Sequence, residues 1–194
     1  MSDGDFGFEL EPFKDQVQRG LSGAVGVYGP VRVFYVKPEE WQSGDVFRTE
    51  LVSEHLPEAH VSGVGMGGIP YISRSATLSV GGVTGRLDYN SLRLRRSARA
   101  LRISLADREY TYASTGSHAV ELRRGGNRVT LTNGKWDREL GRYRHGTVHG
   151  DVDETDLAIA LVFEKVDVSS LSVGGVLANA PIRLLTTSGD GGGE

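Results

Sequence analysis

The sequence predicts a mainly β protein: an antiparallel sheet or barrel of hairpins with one buried hydrophobic helix near the C-terminus. Three observations carry that reading. Glycine is unusually frequent, 27 of 194 residues, which favours tight turns over long helices. Short segments with apolar residues at every second position are separated by glycine pairs. One stretch, "LAIALVF" at 157–163, is instead apolar at every position.

Taken in order, "VRVFYV" (31–36) is rich in β-branched and aromatic residues and reads as a buried strand. The following "PEEWQSGDVFRTELVSEHLPEAH" is less β-like. Pro38 suits a first helical position, and Asp45 is placed to cap a short helix over residues 46–55. In "ATLSVGG" Ala76, Leu78 and Val80 alternate, and in "EYTYAS" Tyr110 and Tyr112 share a face. "SLRLRRSARALRISLADREY" supports two readings. As strands it turns Leu92, Leu94, Leu101, Ile103 and Leu105 inward. As a helix it aligns Leu94, Ala98, Leu101 and Leu105 in one stripe. The β context favours strands over 92–105, and either form presents an arginine face.

In "SHAVELRRGGNRVTLTNGKW", Val120 and Leu122 fall on one face of a strand, and Val129 and Leu131 on one face of the next. Gly125-Gly126 supplies a two-residue hairpin turn, and Asn133-Gly134 marks a second. The hexapeptide "LSVGGV" occurs at 78–83 and again at 171–176, which shared turn chemistry explains. Residues 1–186 read as a single β-rich domain, and 187–194, "SGDGGGE" with its preceding threonine, as a flexible Gly-rich tail.

The apolar run follows Asp153, Glu154, Thr155 and Asp156, residues suited to cap a helix and to complement its N-terminal dipole. Alanines and leucines inside the run favour helix over a buried central strand, the competing reading. A helix apolar on every side has to be surrounded by protein, and antiparallel strands wrapped around it meet that requirement.

With "REYTYASTGSHAVELRRGGNRVTL" followed after a loop by "DETDLAIALVFEKV", the chain resembles the tubby C-terminal-like superfamily, with its LURP-one-related and scramblase-like domains, over roughly residues 70–168. The resemblance implies a closed antiparallel barrel threaded by one hydrophobic helix. It also implies a non-enzymatic domain, in some members one that binds phosphoinositides or other membrane lipids. Two features depart from the family pattern: some 25 residues follow the helix, and the 38–60 segment reads as partly helical.

Cysteine is absent, which excludes disulfide frameworks and Cys-based metal sites. The acidic N-terminus lacks the basic and apolar regions of a secretory signal. Arginine outnumbers lysine 18 to 4, a bias pointing to a GC-rich bacterium or its phage. The expected setting is cytoplasmic, or part of a phage or tail-like particle. The net charge of −3 conceals an asymmetry: residues 86–144 carry +8, residues 1–85 carry −5 and residues 145–194 carry −6. A basic block between acidic flanks either faces those flanks within the fold or forms an exposed anion-binding face.

The motifs that carry chemistry are few. "GVGMGG" places Gly63, Gly65 and Gly68 in a dinucleotide-fingerprint spacing, but Ile69-Pro70-Tyr71 cannot open the helix that fingerprint needs, so it reads as a Gly-rich turn. In "RHGTVHGDVDE", His145, His149, Asp151 and Asp153 would project from one face of a strand and are the candidate metal ligands; His55 and His60 form a weaker pair. No cofactor is indicated. Arg93, Arg95, Arg96, Arg99 and Arg102 are the candidate anion-binding residues, because guanidinium forks match phosphate oxygens. An acidic whole and few interleaved aromatics argue against nucleic acid. The expected function is therefore a non-catalytic binding or interaction module, whose basic face meets an anionic surface, a lipid headgroup or an acidic protein. The alternatives are a self-associating structural subunit of a bacterial or phage assembly and a small metal-dependent enzyme at His145 and His149.

Overall fold

The computed structural model describes residues 5–40, 42, 44–88, 100–116 and 118–168. The strands are β1 (Phe6–Lys14), β2 (Gln18–Ala24), β3 (Pro30–Val36), β4 (Val46–Ser53), β5 (Ala59–Met66), β6 (Ile69–Pro70), β7 (Thr77–Val80) and β8 (Val83–Asp88). They continue with β9 (Leu101–Leu105), β10 (Arg108–Ser114), β11 (Ala119–Arg124), β12 (Asn127–Asp137) and β13 (Gly141–His149), and helix α1 (Glu154–Val162) follows. All ladders are antiparallel, in the order β4-β3-β2-β1-β13-β12-β11-β10-β9-β8-β7-β5. Pairing of β4 with β5, from Val46 opposite Val64 to Leu51 opposite Ala59, closes these strands into a twelve-stranded barrel. The two-residue β6 lies beside the last residues of β5. Closure removes the long free edges an open sheet would expose.

Period-two alternation decides which side chains point inward. In β9, Leu101, Ile103 and Leu105 are buried while Arg102 is exposed; in β10, Tyr110 and Tyr112 are buried on the same face. A barrel of about eight strands can be filled by its own side chains, and the diameter grows with strand number. Twelve strands therefore leave a lumen, and a helix, roughly 10 Å across with its side chains, fits it. Residues 157–163 fill that space, each no more than 1% exposed. α1 touches β4, β5 and β7 on one arc and β11 and β12 on the opposite one, so it lies inside the ring. The apolar run has no polar face because it has no solvent side.

The helix start is fixed by a capping box. Asp153 accepts from the Thr155 and Asp156 amides at 3.0 Å each, and Asp156 accepts from the Asp153 amide. The helix ends in a 3₁₀ turn over Phe163–Lys165, and the chain then leaves the lumen beside residues 70–72. There the Ile72 amide donates to the Asp167 carbonyl and the Asp167 amide to the Pro70 carbonyl.

Three sequence expectations need correction. Residues 46–53 form β4, not a helix, because Phe47, Thr49 and Leu51 alternate inward and pair with both β3 and β5. Asp45 caps no helix; its carboxylate accepts from the Gln42 amide within a turn. Asn133-Gly134 is not a hairpin turn but lies within β12, next to a register shift between Asn133 and Trp136. The turn falls at residues 138–140, where the Asp137 carboxylate accepts from the Glu139 and Leu140 amides. In the 63–68 segment only Gly67 and Gly68 form a turn, both with positive φ, while Gly63 and Gly65 belong to β5. Gly125-Gly126 is the turn expected of it, and residues 101–105 are strand. Residues 92–99, the second "LSVGGV" and the 187–194 tail lie outside the described residues. Among the described residues no helix is long and apolar enough to cross a membrane.

Candidate functional site

The two ends of the barrel differ in how their charges are used. At the end where α1 enters, arginines of the basic block meet the acidic segment that follows the barrel. Arg124 grips Asp156 with Nε–Oδ1 at 2.7 Å and Nη2–Oδ2 at 2.6 Å, and also approaches Asp153 at 3.4 Å. Arg108 pairs with Asp153 at 2.5 Å. The bidentate bond to Asp156 raises the Arg124 pKa against the opposing effect of burial. Burial pushes the Asp153 carboxyl up, but the Asp156 amide, Arg108 and Arg124 outweigh it and leave it below the usual aspartate range. Tyr28 completes this end, donating to the Val152 carbonyl at 3.3 Å. Every partner in the network is internal, so these groups hold the helix in its lumen.

At the exit end, Arg144 from β13 points into the mouth and binds Glu164 through both carboxylate oxygens, with Nη2–Oε1 at 2.9 Å. The pair is secluded, with side chains 13% and 3% exposed, and Arg144 also donates to Asn133 and to the Leu131 carbonyl. Lys165 comes next in the chain. Its carbonyl accepts from Thr49 Oγ1 at 2.6 Å, which fixes the backbone. Its side chain is partly buried, and desolvation pushes the ammonium below the ordinary lysine range; Glu164 opposes the shift and Arg144 adds to it. Among the described residues no acceptor hydrogen-bonds its Nζ and no carboxylate lies within ion-pair distance of it.

Lys165 stands in the wall between two clefts. One, of about 380 Å³, is lined by Leu21, Val120, Phe163 and Val166 below and by Trp136, Arg142 and Arg144 at its rim. The other, of about 330 Å³, is lined by Met66, Ile69, Tyr71 and Val166. The rim belongs to the β12–β13 hairpin, where Trp136 is 64% and Leu140 44% exposed. Arg142 stacks over the Trp136 ring at 5.3 Å, and Lys135 sits over Tyr143 at 4.1 Å. Among the described residues Lys135, Arg138 and Arg142 form no ion pair.

Of the residues singled out from sequence, those that are described do not form one cluster. Arg102 projects outward from β9, and Arg93, Arg95, Arg96 and Arg99 lie outside the described residues; Asp88 and Leu101, which flank that segment, are at the exit end. His145 and His149 do share the outer face of β13, but four residues of strand separate them by roughly 13 Å. One zinc ion needs its ligand nitrogens about 2 Å from itself, so these two cannot share an ion in this strand. Each instead faces a carboxylate near the start of the chain: His145 lies 3.8 Å from Glu9, and His149 lies 3.2 Å from Asp5. Asp151 accepts from Arg124 and Asn127 through its carbonyl, and Asp153 is the helix cap. His55 lies in a bend and His60 in β5. Among the described residues no cluster of three or more His, Asp or Glu side chains has metal-binding geometry.

Arg142, Arg144, Trp136 and Lys165 were not distinguishable from sequence. Glu164-Lys165 directly after an apolar run looks like an ordinary solvated helix end, and only the barrel around it shows that the end is buried. Comparisons with known protein families, curated sequences and solved structures give no significant match.

Proposed function

We propose that this protein is a non-catalytic binding module that docks on an anionic lipid surface through the exit end of its barrel. The observation that carries the reading is the β12–β13 hairpin, where exposed Trp136 and Leu140 stand among Lys135, Arg138 and Arg142, cations that form no ion pair among the described residues, although Lys135 acts at longer range on Asp137 of the same hairpin. Aromatic and aliphatic side chains beside basic ones suit the headgroup region, where rings enter the interface and cations meet phosphates. At the entry end the cations are already matched by Asp153 and Asp156. The resemblance to the tubby C-terminal-like superfamily, some members of which bind membrane lipids, is a second ground for proposing a lipid-directed role.

The test is co-sedimentation with vesicles made with and without an anionic phospholipid, at low and high salt. Each juxtamembrane cation contributes about 1 kcal/mol, so the K135Q/R138Q/R142Q variant should bind about a hundredfold more weakly. Salt should weaken the wild-type protein and affect the variant less. Equal binding to neutral vesicles, or an unchanged affinity in the triple variant, refutes the proposal. A parallel R93Q/R95Q/R102Q variant measures what the sequence-predicted arginines add.

A further inference from the structure

Surface docking uses the rim of the exit end and leaves the cleft beneath it unexplained. The charges there do not cancel. Arg144 takes both oxygens of Glu164, which leaves the ammonium of the partly buried Lys165 without an ion-pair partner among the described residues. A helix C-terminus carries roughly half a unit of negative charge, which accounts for a cation near it but balances only part of one. Thr49 already engages the Lys165 carbonyl, so the backbone is satisfied there and the side chain is not. A partly shielded cation without an ion-pair partner offers a charge-assisted bond to an anion that enters the cleft.

The surroundings define that anion. Lys165 and the unpaired Arg142 both line the cleft, and the helix C-terminus offsets part of the Lys165 charge, so a singly charged anion can be held between the two cations. The cleft floor is apolar, formed by Leu21, Val120, Phe163 and Val166, so the charge should be attached to a hydrocarbon or aromatic body. Its volume of about 380 Å³ is at the small end for ligand sites, with space for about a dozen non-hydrogen atoms at the ~30 Å³ share of a water molecule. We infer that the cleft is a binding site for a small carboxylate with an apolar body of about ten carbons, its carboxylate on Lys165 and Arg142 and its body against Phe163 and Val166. Trp136 closes the rim over it, with Arg142 held on the indole face.

Decanoate, with about the right number of atoms, is the probe, and decanamide is its neutral counterpart. Calorimetric titration of the full chain should show decanoate binding at least tenfold more tightly than decanamide, because a charge-assisted bond is lost in the latter. The K165M variant should lose about tenfold or more for decanoate and nothing for decanamide, while K165R retains most of the affinity. Its melting temperature should not fall, since a methionine removes a partly shielded charge that has no ion-pair partner and keeps the apolar stem; that reading separates lost binding from lost folding. No decanoate binding by the wild-type protein, or equal affinity in K165M, overturns the inference. Lys135 and Arg138 do not line the cleft, so K135Q/R138Q should take up decanoate normally even where vesicle docking is weakened. The two proposals can therefore fail separately.

Discussion

The secluded Arg144–Glu164 pair gives the sharpest test of the exit-end structure. Replacing Arg144 by methionine keeps an unbranched stem but leaves a carboxylate that is only 3% exposed without its partner. Breaking a buried pair from one side commonly costs about 3–5 kcal/mol. Protonation sets a ceiling on the charge part of that cost. An ordinary glutamic acid is protonated at about pH 4.3, and each unit of pH above that costs 1.36 kcal/mol, so the ceiling is about 3.7 kcal/mol at pH 7 and about 1 kcal/mol at pH 5. R144M should therefore be destabilised by about 3 kcal/mol at neutral pH, and most of that loss should disappear at pH 5. Adding E164L removes the stranded charge and should recover most of the stability at both pH values. Urea unfolding followed by circular dichroism, for both variants at both pH values, measures these differences. A neutral-pH loss below about 1 kcal/mol, or one that does not shrink in acid, would mean that Glu164 is not secluded in the way the barrel mouth requires.

The remaining expectations concern packing, capping and titration. A Cβ at Gly146 would stand 2.0 Å from the Phe8 ring, so G146A should cost about 1–3 kcal/mol in denaturant unfolding, partly recovered by F8L; a neutral G146A would show that the ring is free to move. D153A removes the helix cap and a partner of Arg108 and should cost about 1–2 kcal/mol. Because the folded pKa of Asp153 is depressed, its contribution is present above the unfolded aspartate value and is lost as pH falls through the folded one. D153N should accordingly flatten the acid limb of stability against pH. Lys165 has the opposite charge and also a depressed pKa, so the folded protein releases this proton before the unfolded chain does. Its burial penalty fades as pH rises through the folded value. Decanoate affinity, which needs the ammonium, should decline over the same alkaline range, with Glu164, Arg144, Arg142 and Asp167 as the charged groups lining the two clefts. An affinity flat through that range would exclude Lys165 as the carboxylate's partner.

What could be read from the chain was whatever depends on neighbours in sequence. Alternation in 101–105 and 110–112, the glycine pair at 125–126 and the uniform apolar run at 157–163 each specify a local geometry and a burial requirement. The run even demanded an enclosure, because an apolar helix without a polar face has no stable place in water. Residues 46–53 show where local reasoning stops. Phe47, Thr49 and Leu51 already alternate, but a plausible cap at Asp45 and a helix-tolerant composition competed with them until β3 and β5 supplied ladder partners on both sides. Gly134 misled for a related reason: Asn-Gly favours a hairpin turn in isolation, whereas here the glycine admits the close approach of the His145 ring within a continuous strand.

The candidate site was much less legible than the fold. An arginine excess in 86–144 and acids in 145–194 were visible as totals, but not the partners: Arg124 reaches Asp156 and Arg144 reaches Glu164 only because β11 and β13 stand beside the threaded helix. The sequence by itself determined a β-rich chain that had to wrap one apolar helix, since hydrophobic periodicity fixes which faces leave water. Only the tertiary structure decided that twelve strands close into a ring, which arginines are consumed inside it, and that Lys165 is left at its mouth. Those outcomes depend on contacts between residues far apart in the chain, and the energy of a charge depends on which partner and how much water the fold places beside it.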